Sequence, residues 1–328
     1  MRMFIIASLF ATGAFAQMPA LSPVGGTTLA PAGSLTSFTF VVAGDNRPAN
    51  ATCPQPPQLA DVLKGIAAQK PAFVLWDGDV VYGKNTATVA SQYPAFLTAI
   101  KSAGVPVYVS PGNHEMDIIG QCNGQNVDAP DPSGKMLAAF QTAVGLPYGI
   151  FRYGNSAFFS INTDDALGDH YNPTPCNYNG YVGRAQVAAL EATLNQLQAD
   201  ATVTNIFVFM HRPLKGEIAN DQLGYVNGVA PQNKHIQQVY TLLQSPAYTK
   251  LGFVFASHEH LFYAAGTANQ QGPFTNATRQ FLVTGGAGAP LSKNATSGAY
   301  FHYLTVSVNG SVVTATIVPI NDNSSNCN

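Results

Sequence analysis

Residues 251–260 read LGFVFASHEH, an apolar run of strand length that stops at a turn carrying two histidines, His258 and His260. Four earlier runs stop in a similar way. FTFVVAG (38–44) precedes Asp45, AFVLWDG (72–78) precedes Asp79, VPVYVSPG (105–112) precedes Asn113 and His114, and NIFVFM (205–210) precedes His211. Short runs rich in Val and Phe, bounded by Gly or Pro and separated by helix-length segments, predict buried strands of an α/β sheet. Ligands of open α/β sheets bind beyond the carboxyl ends of the strands, so five such ends can bring their side chains to one place. Asp, Asp, Asn and three His make a donor set suited to zinc, iron or manganese.

Asp45 to Asp79 is 34 positions and Asp79 to His114 is 35, the length of a β-α-β unit. The intervening segments QLADVLKGIAAQ (58–69) and YPAFLTAIKSAG (93–104) read as helices, as do residues 135–145, 184–200 and 234–245. Residues 151–165 read as a pair of strands, and 279–286 as another strand. The segments 300–308 and 312–320 form a hairpin across Asn309-Gly310. Residues 120–134, 166–183 and 215–233 read as loops, the natural seats of specificity.

Composition narrows the function. The chain has 328 residues, 46% hydrophobic and 10% charged, with a net charge of −2 and no Lys/Arg run to hold nucleic acid. MRMFIIASLFATGAFAQ at the amino terminus reads as a secretory signal cut after Ala16, too short in its apolar part to span a bilayer. Residues 17–37 form an extended lead-in, 38–320 a single catalytic domain and 321–328 a tail. Four cysteines in an exported chain imply two disulfides, and loop composition favours Cys122 with Cys176 and Cys53 with Cys327. Sequons start at Asn50, Asn276, Asn294, Asn309 and Asn323.

Each site residue has a plainer reading when taken alone. An Asp after Gly caps helices and turns, Asp77 reads as structural, and a strand-end His is commonly a hydrogen-bonded core residue. In this order, however, the motifs resemble the calcineurin-like metallophosphoesterase superfamily. Gly44-Asp45-Asn46-Arg47, Gly78-Asp79-Val80-Val81-Tyr82, Gly112-Asn113-His114-Glu115, His211 and Ser257-His258-Glu259-His260 carry the match. The resemblance implies a four-layer α/β/β/α sandwich with two mixed β-sheets, the carboxyl-terminal hairpin lying in the second. It implies a dinuclear centre in which Asp79 bridges two ions, Asp45 and His260 hold the first, and Asn113, His211 and His258 hold the second.

Two departures from the family pattern bear on the centre. Arg47 cannot ligate a metal, and Tyr82 stands where the purple acid phosphatase branch binds ferric iron through a tyrosinate. Iron with zinc, manganese or a second iron is the implied pair. Ser257 replaces a Gly, a strained choice if that position needs positive φ. The implied reaction is hydrolysis of a small phosphorylated substrate, with His114 protonating the leaving alkoxide. Arg47, rather than Arg212, would steady the phosphate. His170 could overhang the site, and His258 and His260 share one side if the backbone there is extended. A zinc or manganese phosphodiesterase or nucleotidase is the rival within the superfamily; a non-catalytic secreted binding protein is the rival outside it.

Overall fold

The computed structural model describes residues 17–296 and 298–321, with 324 and 327. The expected leader (1–16) and the Asn323 sequon lie outside the described residues. In chain order the first half gives β1 (Ser37–Ala43), α1 (Pro57–Gln69), β2 (Val74–Trp76), α2 (Thr86–Ala99), β3 (Val107–Val109) and α3 (Asn113–Met116). The hairpin β4 (Asp117–Cys122) and β5 (Gln125–Pro130), α4 (Lys135–Ala143), β6 (Gly149–Tyr153) and β7 (Ser156–Ile161) follow. The second half adds α5 (Arg184–Ala199), β8 (Asn205–Met210), α6 (Lys234–Gln244), β9 (Leu251–Ala256) and β10 (Phe262–Ala264). It closes with β11 (Phe274–Thr275), β12 (Gln280–Thr284), β13 (His302–Asn309) and β14 (Val312–Pro319).

Two six-stranded mixed sheets result, ordered β11-β14-β13-β1-β2-β3 and β10-β12-β9-β8-β7-β6. Period-two alternation decides what each strand face meets. Phe40 and Val42 of β1, Phe207 and Phe209 of β8, and Phe253 and Phe255 of β9 point into one aromatic core between the sheets. Their neighbours turn outward. Val41 and Ala43 pack with α1 residues Leu59, Val62 and Ile66, whereas Ile206, Val208 and Val254 pack with α5 and α6 residues such as Leu190 and Val239. The layers are therefore α/β/β/α. Within the middle core, Phe158 and Phe207 stack at 4.9 Å between centroids and Phe40 meets Phe158 edge-on at 5.2 Å, geometries that add to simple burial.

Three expectations need correction. The carboxyl-terminal hairpin lies in the sheet of β1, not in the other one: β13 pairs antiparallel with β1 along its length. The reason is packing, because Leu304, Val306 and Val308 extend the same aromatic layer that Phe40 begins. Residues 120–134 are not a loop. They hold the β4–β5 hairpin, turned at Asn123 and Gly124, both of which have positive φ, the pattern of a tight two-residue turn. Helix α2 starts at Thr86 rather than Tyr93, since the Asn85 side chain caps it by accepting the Thr88 N–H, and Pro94 lies within it. Both disulfides pair as the loop compositions suggested, Cys53–Cys327 and Cys122–Cys176.

Candidate metal centre

β1, β2, β3, β8 and β9 all run out at one edge of the sandwich, and each delivers its expected side chain just past its end. Asp45, Asp79, His258 and His260 occupy the left-handed backbone region, which costs non-glycine residues about 1–3 kcal/mol each and collects at functional sites. The extended backbone expected for 258–260 is therefore not found. The turn sends the intervening Glu259 the other way, where it accepts the N–H groups of Glu217 (2.8 Å) and Ile218 (3.2 Å). Ser257 itself does not need positive φ. Its Oγ bonds to the Thr284 carbonyl at 3.2 Å and fills the space a Cβ on Gly44 would take, 2.1 Å away.

Glu115 locks two of the motifs together. Its buried carboxylate accepts the backbone N–H groups of Gly112 (2.6 Å), Asp79 (2.9 Å), Val80 (2.9 Å) and Val81 (3.1 Å). The turn after β2 is thus fixed to the turn after β3 largely through the Glu115 carboxylate, and Asp79 Oδ1 adds one bond by accepting the His114 N–H at 3.1 Å. The motif signals an acid at this position, but its role as the clamp was not read from sequence.

One half of the centre gathers around His211. The His211 Nδ1–H donates to the Asp77 carbonyl at 2.8 Å, so the neutral ring leaves Nε2 bare; Asp77 serves His211 through its backbone. That nitrogen lies 2.9 Å from Asn113 Oδ1, 3.2 Å from Asp79 Oδ1 and 3.1 Å from His258 Nδ1. Asn113 is oriented by its amide Nδ2, which donates to Asp128 at 2.7 Å and turns Oδ1 inward. Arg212 donates to His258 Nε2 at 3.1 Å, which leaves the proton of the neutral ring on Nδ1. His211 Nε2 and the oxygens of Asn113 and Asp79, however, are acceptors facing one another in a buried site, which suits a cation. Burial holds the His211 ring below its ordinary pKa, and burial followed by Arg212 does so more strongly for His258, which favours the neutral rings that metals bind.

The other half gathers Asp45, Asp79 and His260, whose donor atoms lie within 4.8 Å of one another. His260 Nδ1–H donates to the Pro290 carbonyl at 2.6 Å, and Nε2 sits 4.0 Å from Asp45 Oδ1. Asp45 is fully buried, with neither carboxylate oxygen hydrogen-bonded. Burial and the nearby Asp79 push its pKa well up. An orphaned buried carboxylate is costly, and a bound cation removes the cost, so this half also fits a metal.

Around the six donors stand the other expected residues. Arg47 Nε is 3.5 Å from Asp79 Oδ2, and His114 Nε2 is 3.8 Å from the same oxygen. His114 Nδ1 bonds to the Tyr82 carbonyl. The Tyr82 ring lies against His114, 5.7 Å between centroids. Asp79, Asn113, His114, His258, His260 and Arg47 line a pocket of about 230 Å³, and Tyr82 is not among its lining residues. His170 is exposed and does not line it either. Arg212 is buried, its guanidinium on Asp164 (2.7 Å), Asp128 (3.0 Å) and Asp117 (3.3 Å), and its Nη1 donates to the Asn179 side chain and to His258 Nε2 (3.1 Å).

A family model for calcineurin-like phosphoesterase matches residues 38–262, a span that includes every candidate ligand. No curated protein matches the sequence. Among solved structures, a purple acid phosphatase from yellow lupin seeds superposes with a TM-score of 0.60 at 17% identity, over 90% of this chain and 53% of that one. A dimetal phosphatase from Danio rerio gives 0.57 at 13% identity, over 86% and 98%. The structure of PhoD gives 0.55 at 13%, over 90% and 74%. The chain spans about half the length of the lupin enzyme. At these identities the likeness is one of fold.

Proposed function

The chain belongs to the calcineurin-like phosphoesterase family, which binds two metal ions, and on that premise we propose that it is a phosphomonoesterase acting outside the cytoplasm. The observation that carries this reading is the meeting of six donors at five strand ends, with Asp79 facing both halves. Two disulfides, and no helix among the described residues long and apolar enough to cross a membrane, agree with a secreted or periplasmic protein.

We assign Asp45, Asp79 and His260 to the first ion and Asp79, Asn113, His211 and His258 to the second. Tyr82, whose ring lies against His114 and outside the pocket lining, is the further donor that the family pattern offers the first ion. Ions held there would supply Lewis acidity toward the phosphoryl oxygens and the attacking water. The chain's own residues do the rest. Arg47, at the pocket wall beside Asp79, steadies the phosphoryl group by a two-pronged contact. His114 gives its Nδ1–H to the Tyr82 carbonyl, so only the imidazolium carries a second proton, on Nε2 beside Asp79, to pass to the departing alkoxide. Burial and then Arg47 pull the ring's pKa down, so this acid role predicts activity that falls as pH rises.

Two measurements test these roles. His114→Ala should lower kcat on an alkyl phosphate by about 10²- to 10⁴-fold, and far less on a nitrophenyl phosphate, whose leaving group departs without a proton. Equal losses on both esters would remove His114 from that role. Iron-loaded protein should show a visible tyrosinate band that disappears in Tyr82→Phe; a colourless iron-loaded protein would take Tyr82 out of the ligand set.

A further inference from the structure

The metal pocket shares His258 and Asp221 with a second, larger cleft of about 540 Å³. One wall is the β4–β5 hairpin with Asn123 and Gln125, tied by the Cys122–Cys176 disulfide to the segment that carries Tyr178 and Asn179. The opposite wall carries Tyr225 and Asn227. We infer that this cleft receives the leaving group and selects an uncharged, hydroxyl-bearing alcohol of nucleoside or sugar size over a polyanionic one. The inference rests on the phosphomonoesterase reading and adds the substrate class to it.

Charge decides the selection. Among the lining residues Arg212 is the only Lys or Arg, and it is already held by three carboxylates. Lys84, which reaches the lining residue Asp128, is paired with it. Asp128 and Asp221 themselves face the cleft. A second and third phosphate entering here would meet carboxylates and, among the described residues that line this cleft, no Lys or Arg other than the engaged Arg212, an arrangement that disfavours a partner of like charge. Side-chain amides from Asn123, Gln125 and Asn227, by contrast, offer both donors and acceptors to hydroxyl groups. Asn123, Gln125 and Asn227 are exposed to solvent, so they are open to a ligand.

The test compares three substrates on the metal-loaded full chain: methyl phosphate, a nucleoside 5′-monophosphate and the matching 5′-triphosphate. The expected result is a kcat/KM at least about tenfold higher for the monophosphate than for the triphosphate at low salt, with the gap closing as salt screens the cleft. Gln125→Lys, an exposed change on the hairpin, should narrow the gap by raising the triphosphate value. Equal or reversed preference, a gap indifferent to salt, or hydrolysis of methyl phosphate but neither nucleotide would each overturn the inference while leaving the phosphomonoesterase reading intact. Failure to hydrolyse methyl phosphate as well as both nucleotides would instead overturn that reading.

Discussion

Asp79→Ala should leave a folded chain that retains less than one tightly bound metal ion and loses at least about 10³-fold in kcat/KM on a phosphomonoester. Asp79 is a carboxylate that faces both halves of the centre. Its Oδ1 lies 3.2 Å from His211 Nε2, and the same side chain completes the group with Asp45 and His260. Two cations roughly 3.5–4 Å apart repel strongly unless an anion stands between them, so losing this one charge costs both sites. The fold should survive because Glu115 still grips the backbone N–H of residue 79, although the variant gives up the His114 N–H that Asp79 Oδ1 accepts at 3.1 Å. Asp79→Asn, which keeps the shape and removes the charge, should behave almost as badly. Retention of two ions and a tenth of the activity by either variant would contradict the bridging role.

Arg212→Met should lower stability by about 3–5 kcal/mol, because it strands buried carboxylates that have lost their counter-charge. Asp164 and Asp117 are buried beneath Arg212. After Arg212 is removed, Asp164 and Asp117 share the Tyr178 hydroxyl, at 3.3 Å and 2.9 Å, and Asp164 keeps the Thr163 hydroxyl at 3.0 Å, but neither retains the guanidinium. At about 2–4 °C per kcal/mol, the midpoint of thermal unfolding should fall by about 10 °C. The drop should appear in chelator as well as in metal, which separates a structural ion cluster from loss of the centre. A change of under about 1 kcal/mol in chelator would return Arg212 to the pool of groups free to bind phosphate.

The sequence made the site legible because its geometry is local to each strand end. A run such as NIFVFM is buried on both faces, and the polar residue that ends it has few structural reasons to be there; five such ends, three from one sheet and two from the other, meet at one edge of the sandwich. Pairings between distant segments were less legible. Nothing in YFHYLTVSV says that β13 lies against β1 rather than in the other sheet, since that depends on which aromatic layer has room for Leu304 and Val306. The β4–β5 hairpin escaped because it forms its own two-stranded sheet with little buried surface, and QCNGQNV therefore carries almost no apolar alternation. Glu115 and Arg212 were visible as residues, but their tasks depend on partners brought in by folding: four backbone N–H groups in one case and three aspartates in the other.

The most direct measurement is the number of metal ions per folded chain, taken by elemental analysis after equilibrium dialysis of the unaltered protein beside Asp79→Ala, with phosphomonoesterase activity followed in parallel. The account predicts two ions and hydrolysis for the first and neither for the second. An unaltered chain that hydrolyses phosphomonoesters with no bound metal, or that binds two ions equally well without Asp79, would contradict it.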